Sequence, residues 1–197
     1  MNKGAENSKA GLQVIAFKNL KNWEHWLEKN HNKSQGIWIK FYKKNSSITS
    51  ITHNEALDVA LCYGWIDGQL KRGDEKFYLQ KFSPRRSKSI WSKRNIEHVE
   101  RLKKEGRMKP SGLKEFNVAK SDGRLAKAYD PSSKMTIPDD FLKRLSKDKK
   151  AFKFFESLNR TNKYSIAWRL QTAKKPDTRE KRMIKILEML SKGKKFH

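Results

Sequence analysis

Residues 84–92 concentrate two arginines, three serines and a tryptophan immediately before a predicted helix. A guanidinium binds phosphate or carboxylate through two parallel hydrogen bonds, and the free amides of a helix N-terminus add donors. In the alternative interpretation, Trp91 packs in the core and Ser92 only caps the helix. The arginines then pair with Asp67 or Asp74. The anion-binding hypothesis assigns Arg85, Arg86, Ser87, Ser89, Trp91 and Ser92 as ligand-binding residues.

A second candidate lies at residues 63–68, where a predicted helix end meets a strand and two glycines leave room for a turn or a ligand. Asp67 could act as a base or as a hydrogen-bonding anchor. Alternatively, Trp65 and Ile66 are core residues and Asp67 caps a backbone turn. The residues predicted to line a pocket here are Tyr63, Trp65, Asp67 and Asn95.

Acid–base catalysis at Asp67 would require a partner. His53, His98 and Glu55 are the nearby proton-transfer groups in sequence, but a capping box already accounts for Glu55. Cys62, on the apolar side of its helix, is expected to behave as a small hydrophobe. The sequence therefore assigns no catalytic residue.

A third cluster of basic side chains follows in the C-terminal part of the chain, where helical spacing places neighbouring cations on one surface. The alternative is a solvated charged face over a Leu/Ile seam. The residues of this predicted basic face are Arg169, Lys174, Lys175, Arg179 and Arg182.

Charge dominates the composition: the 197 residues include 46 Lys+Arg against 21 Asp+Glu, a net charge of +25. Such a field attracts nucleic acids and anionic lipid surfaces and repels cationic peptides. Direct binding of cationic peptides is therefore not expected. The simpler alternative is that the lysines only keep the protein in solution.

Several classes of protein are disfavoured by the sequence. A single cysteine forms no intramolecular disulfide, and we find no metal-ligand spacing, no P-loop and no dinucleotide fingerprint, so we expect no metal and no cofactor. The sequence shows neither a signal-peptide core nor a run of apolar residues long enough to span a membrane. We expect a cytoplasmic protein.

Periodicity predicts the elements that position these residues. A helix is predicted over 19–30, capped by Asn19, then a strand over 36–43 and a helix over 53–63 that begins with a Thr52–Glu55 capping box. A hairpin pairs residues 65–72 with 77–82 around a Gly-Asp turn, and helices are predicted after Ser92 and over 111–121.

The C-terminal sixty residues show helical spacing throughout, with Pro138 and Thr161 as helix starts and a second capping box at residues 177–180. The stretch 121–137 has little periodicity and is the predicted linker. We therefore expect an α+β fold with a small, mainly antiparallel sheet and flanking helices over 1–135, followed by an all-helical domain over 136–197.

Three runs are more distinctive: ALCYGWIDG at 60–68, FSPRRSKSIWS at 82–92 and AKKPDTREKR at 173–182. Together they resemble the YdeI/OmpD-associated family of bacteriocin-protection proteins, the first two its amino-terminal domain and the third its helical carboxy-terminal segment. The resemblance covers roughly residues 20–197. It implies the fold and a link to antimicrobial-peptide resistance, but no biochemical activity or site residues.

The expected function is that of a non-enzymatic stress or bacteriocin-protection protein that binds an anionic partner, a nucleic acid or an anionic lipid surface, through a basic surface. One alternative is a nucleic-acid-binding module that uses Arg85, Arg86 and Trp91. Another is a small-molecule binder or enzyme that uses residues 63–67 together with Arg85 and Arg86.

Overall fold

The computed structural model describes residues 11–196. Within them the chain forms two compact units: residues 11–89 with 95–126, and residues 90–94 with 127–196. From residue 127 onward the chain belongs to the second unit, so the predicted boundary near residue 135 lies inside that unit.

The first unit contains a four-stranded sheet in the order β1-β2-β4-β3. The strands are β1 (Val14–Ile15), β2 (Ile37–Tyr42), β3 (Trp65–Arg72) and β4 (Phe77–Pro84). β4 pairs antiparallel with both β2 and β3, while β1 pairs parallel with β2. The small, mainly antiparallel sheet is thereby confirmed. The two-residue β1 was not predicted, because so short a strand has no alternation to reveal it.

The helices of this unit are α1 (Leu20–Asn30), α2 (His53–Cys62), α3 (Lys93–Lys104), whose first two residues belong to the second unit, and α4 (Pro110–Ser121). Both predicted caps are present. Asn19 accepts a hydrogen bond from the Asn22 amide, and Thr52 and Glu55 form a complete capping box at the start of α2.

An aromatic core joins the helices to one face of the sheet. The Trp23 ring of α1 contacts Phe82 of β4 with centroids 5.8 Å apart and Trp65 of β3 at 6.4 Å. Its indole nitrogen donates to the Ala56 carbonyl of α2 at 3.0 Å. We call this face, which carries Ile37, Ile39, Phe41, Asp67, Tyr78 and Phe82, the covered face.

The second unit is helical over residues 139–191, as expected. Its helices are α5 (Asp139–Leu145), α6 (Lys149–Glu156), α7 (Arg160–Gln171) and α8 (Pro176–Ser191). They enclose a core of Phe, Leu, Ile and Met side chains, with Phe141, Leu145, Ile166, Ile186 and Leu190 fully buried.

The capping box predicted at residues 177–180 is wrong. α8 begins at Pro176, its N-cap is Lys175, and no side chain caps it. Proline fits the first helical turn because its fixed φ is already helical and its missing amide is not needed there. The helix therefore starts before Asp177 could cap it.

Within residues 11–196, no helix has the length and apolar composition needed to cross a bilayer. The same part of the chain contains no group of three or more His, Cys, Asp or Glu side chains placed to hold a metal ion.

Candidate functional site

His53 and Asp67 form a hydrogen-bonded pair on the covered face of the sheet. Nε2 of His53 lies 3.1 Å from Oδ2 of Asp67, and each side chain is 29% exposed. His53 is the first residue of α2, and Asp67 immediately precedes an irregularity in the pairing of β3 with β4. An ionised carboxylate only accepts hydrogen bonds, so the ring proton lies on Nε2 and Nδ1 remains for another partner.

The His53 ring lines an open cavity of about 670 Å³ where β2 ends and β4 begins. The rings of Phe41 and Tyr78 are stacked there with centroids 5.4 Å apart and planes at 19°. His53 meets Phe41 edge-on at 6.0 Å. The volume lies within the range of about 300–1,000 Å³ that is usual for small-molecule sites.

The remaining wall of this cavity is the loop 43–52. Ser50 Oγ accepts the Tyr42 amide at 3.2 Å, and the amide of buried Ile51 donates to the Phe17 carbonyl at 3.2 Å. At the other end of the loop, the Lys43 amide donates to the Lys76 carbonyl at 2.8 Å, so both ends are tied to the sheet unit.

The cavity is basic and rich in hydroxyl groups. Lys43 and Lys44 line it, and none of the described residues that line it is acidic. The Lys43 ammonium donates to the Asp74 backbone carbonyl at 2.9 Å. Because this carbonyl is uncharged, it does not neutralise the lysine. Burial raises the pKa of the Tyr78 hydroxyl, which therefore stays a neutral donor at physiological pH.

The opposite face of the sheet presents lysines and rings together. The Lys40 ammonium lies 4.3 Å from the centroid of Phe77, and the Lys71 ammonium lies 4.6 Å from that of Trp38. Tyr42 contacts Phe77 edge-on at 6.4 Å. We call this surface the open face; by strand register its residues are Trp38, Lys40, Tyr42, Lys71, Phe77, Leu79 and Lys81.

Carboxylates are missing from the open face. Both β2 and β4 lie wholly within the described residues, and neither contains Asp or Glu. The one acidic residue of β3, Asp67, lies on the covered face with His53. The lysines of the open face therefore interact with rings and solvent, an arrangement suited to an anionic partner.

The predicted arginine segment follows β4. Arg85 is buried, and its guanidinium donates to Ser89 Oγ at 3.4 Å. Arg124, which no sequence pattern pointed to, donates to the Ser89 carbonyl at 3.3 Å and pairs with Asp122. Arg86 and Ser87 are exposed. The segment is thus built around Ser89 inside the first unit.

Trp91 and Ser92 belong to the second unit and are both buried. The Trp91 carbonyl accepts the Tyr129 amide, and Ser92 forms a β-bridge with Tyr129. A ring with only 2% of its surface exposed cannot stack on a base. Trp91 is therefore a packing residue, in agreement with the alternative interpretation of this segment.

The predicted pocket at residues 63–68 is largely core. Tyr63 and Trp65 are buried, and the Trp65 indole donates to the His31 carbonyl at 3.0 Å. Asn95 is half-buried in α3. Asp67 is hydrogen-bonded to His53, which lines the cavity.

The predicted basic face of the second unit is engaged in internal contacts. Arg179 forms a bidentate pair with Asp140, Arg182 donates to the Arg169 carbonyl at 2.7 Å, and Arg169 lies over the Phe196 ring at 4.6 Å. Lys174 and Lys175 are exposed. The arginines of this set hold α5, α7 and α8 together.

The other proton-transfer candidates also have structural partners. His98 Nδ1 lies 2.6 Å from Asp58 Oδ1, and Arg101 contacts the second oxygen of the same carboxylate. Cys62 is buried, and desolvation raises its pKa to about 11. A thiol in this state is a poor nucleophile.

Sequence and structure together define a two-unit protein with a mixed α/β sheet unit and a helical unit. Residues 15–115 match the model of a domain of unknown function, DUF8412, and residues 134–193 match the family described as bacteriocin-protection, YdeI or OmpD-associated.

The first match covers a little over half of the chain, so the protein belongs to the DUF8412 domain family. The second confirms the family expected from the sequence over 134–193, while the runs at 60–68 and 82–92 fall in the range of DUF8412. Neither a curated protein nor a solved structure matches the chain.

Proposed function

We propose that the protein is a non-enzymatic binding protein whose partner is single-stranded nucleic acid, held on the open face of its sheet. The observation that supports this is the placement of lysine ammonium groups directly over aromatic rings on a surface without carboxylates. Proteins that bind single strands without strict sequence preference combine a basic track for the phosphates with rings on which bases stack.

The lysines and rings are close enough to act on one nucleotide strand. Lys40 and Leu79 are cross-strand partners, as are Leu79 and Lys71, so two ammonium groups flank the central strand of the face. Trp38 is buried at 8% exposure, so the ring that this face offers to a base is the half-buried Phe77. Bases in a duplex are already stacked on each other. The binding free energy of a duplex therefore comes from contacts between phosphates and lysines, without stacking on the protein's rings.

The proposal is compatible with the protective role named in the description of the C-terminal family. A net charge of +25 repels cationic peptides, so sequestration of such peptides is an unfavourable route to protection. With an anionic partner, protection would come from binding to a target in the cell and not from binding the peptide itself.

The test uses fluorescence anisotropy with a labelled oligothymidylate, over a salt series. The variant Lys40→Ala/Lys71→Ala/Lys81→Ala is compared with Lys18→Ala/Lys29→Ala/Lys114→Ala, which has the same net charge and loses lysines away from the open face. Each phosphate contact contributes about 0.7 to the slope of log K against log salt. We expect the open-face variant to lose about two units of slope and the matched variant to keep the wild-type slope.

The ring contribution is tested with Phe77→Leu, which keeps an apolar side chain. Loss of one base-stacking ring costs about 1–3 kcal/mol, so affinity for the single strand should fall about tenfold with the salt slope unchanged. Equal losses in both triple variants would show that only overall charge matters. Binding to a duplex or to anionic vesicles as tight as to the single strand would also overturn the proposal.

A further inference from the structure

We infer that the cavity beside His53 is a binding site for a small anion that carries a flat aromatic ring. The floor of this site belongs to the covered face and its wall is the loop 43–52; of the residues named for the open face, Tyr42 alone also lines it. No part of the argument for nucleic-acid binding uses it.

The floor of the cavity is suited to a flat ring. Phe41 and Tyr78 are stacked on each other nearly parallel, and the His53 ring stands edge-on to Phe41. Aromatic rings prefer offset-stacked or edge-to-face neighbours. Phe41 is buried and supports Tyr78 from below, so a ligand ring extends this arrangement by stacking on the half-buried Tyr78, beside His53.

The polar groups of the cavity are suited to an anion. Lys43 and Lys44 supply positive charge, and serine and threonine hydroxyls of the loop supply neutral donors. Among residues 11–196, no carboxylate lines the cavity to compete with the ligand.

His53 adds a directional contact. Its Nε2 is fixed by Asp67, and within residues 11–196 its Nδ1 has no hydrogen-bond partner. When both ring nitrogens carry a proton, Nε2 donates to Asp67 and Nδ1 donates to an anion. Asp67 is then a positioning residue, and His53 is the group that touches the ligand.

Two sources share this chemistry: a mononucleotide and an aromatic carboxylate. Titration calorimetry with adenosine 5′-monophosphate and with 4-hydroxybenzoate distinguishes them, and adenosine and inorganic phosphate report the ring and the charge alone. We expect one of the two anions to bind about tenfold more tightly than adenosine or phosphate, because adenosine lacks the charge-assisted hydrogen bond and phosphate lacks the ring.

Two variants locate the site. His53→Gln should weaken binding of that anion about tenfold, while His25→Gln, a change at a histidine exposed on α1, should leave it unchanged. Lys44→Ala, on the exposed rim, should weaken binding without any effect on folding, with Lys29→Ala as its control. Amide NMR shifts on titration should be confined to residues 41–53 and Tyr78.

Three results would overturn the inference: phosphate binding as tight as that of the aromatic anions, unchanged affinity in both His53→Gln and Lys44→Ala, or no binding at millimolar ligand. The two proposals fail separately. Loss of anion binding in the open-face triple variant would assign the ligand to the open face, whereas His53→Gln should bind oligothymidylate like the wild type.

Discussion

The two faces of the sheet are made from the same strands but put aromatic side chains to different uses. On the covered face, Phe82 is fully buried among Trp23, Phe41 and the His53 ring. On the open face, Phe77 lies beneath the Lys40 ammonium and stays half-exposed. Alternate residues of β4 thus face the core and the surface that we propose binds the partner.

This comparison shows that net charge alone says little about where a partner binds. The arginines of the helical unit pair with acids or backbone carbonyls, as Arg179 does with Asp140 and Arg182 with the Arg169 carbonyl. The lysines of the open face have rings as neighbours instead. Positive charge indicates where an anionic partner binds only when the cationic side chain has no acidic neighbour.

The largest expected effect is on stability, when one ring is removed from each face of the sheet. Phe82→Ala should lower the free energy of unfolding by about 3–5 kcal/mol, because it removes a fully buried ring. Phe77→Ala should cost about 1 kcal/mol, as expected of a partly exposed site. Urea denaturation followed by tryptophan fluorescence measures both. Similar losses would mean that the open face is packed against another surface in solution.

A smaller effect concerns the helices that cover the sheet. Trp23→Phe keeps a ring but removes the indole donor of the Ala56 carbonyl, which stays buried. The Ala56 carbonyl keeps its partner within α2, so the loss is that of one buried hydrogen bond, about 0.5–1.5 kcal/mol, together with the space left by the smaller ring. The matched change Trp26→Phe, at a half-buried ring on the same helix, should cost less. If thermal or urea unfolding ranks the two variants the other way, the Trp23 hydrogen bond does not hold α1 to α2.

The smallest effect depends on pH. Burial raises the pKa of Asp58, but hydrogen bonds from His98 and Arg101 outweigh it, so its pKa in the folded protein lies below the ordinary value of 3.8. The unfolded state therefore takes up this proton first as pH falls. The stabilisation is fully present well above pH 3.8 and is lost as pH falls through and below it.

Asp58→Asn removes this contribution and should flatten the acid limb of stability against pH. Urea titrations above and below the ordinary pKa measure the difference between variant and wild type. If the free energy of unfolding falls equally steeply at low pH in variant and wild type, the contact of Asp58 with His98 and Arg101 does not stabilise the protein.

Local patterns predicted most of the fold. The Thr52–Glu55 capping box set the start of α2, and the alternation in residues 36–43 separated Ile37 and Phe41 from Trp38 and Tyr42 correctly. These signals depend on neighbours within a few residues. They failed at α8, where Pro176 starts the helix ahead of the apparent capping box.

The candidate site was only partly predictable, because its contacts join distant residues. His53 and Asp67 were both named from the sequence, but no local signal indicates that residues 14 apart are hydrogen-bonded. The open face depends on the register that places Phe77 opposite Tyr42. Side-chain alternation shows which residues share a face of one strand, but it does not show which strand lies beside it.

The burial of Cys62 has a practical consequence for labelling. With a pKa of about 11, roughly one thiol in ten thousand is ionised at neutral pH. The chain has no other cysteine. A thiol-reactive fluorophore or spin label should therefore modify a cysteine introduced on the surface selectively, and the native thiol need not be replaced. In the unaltered chain, slow alkylation of Cys62 would report how often the C-terminal end of α2 opens.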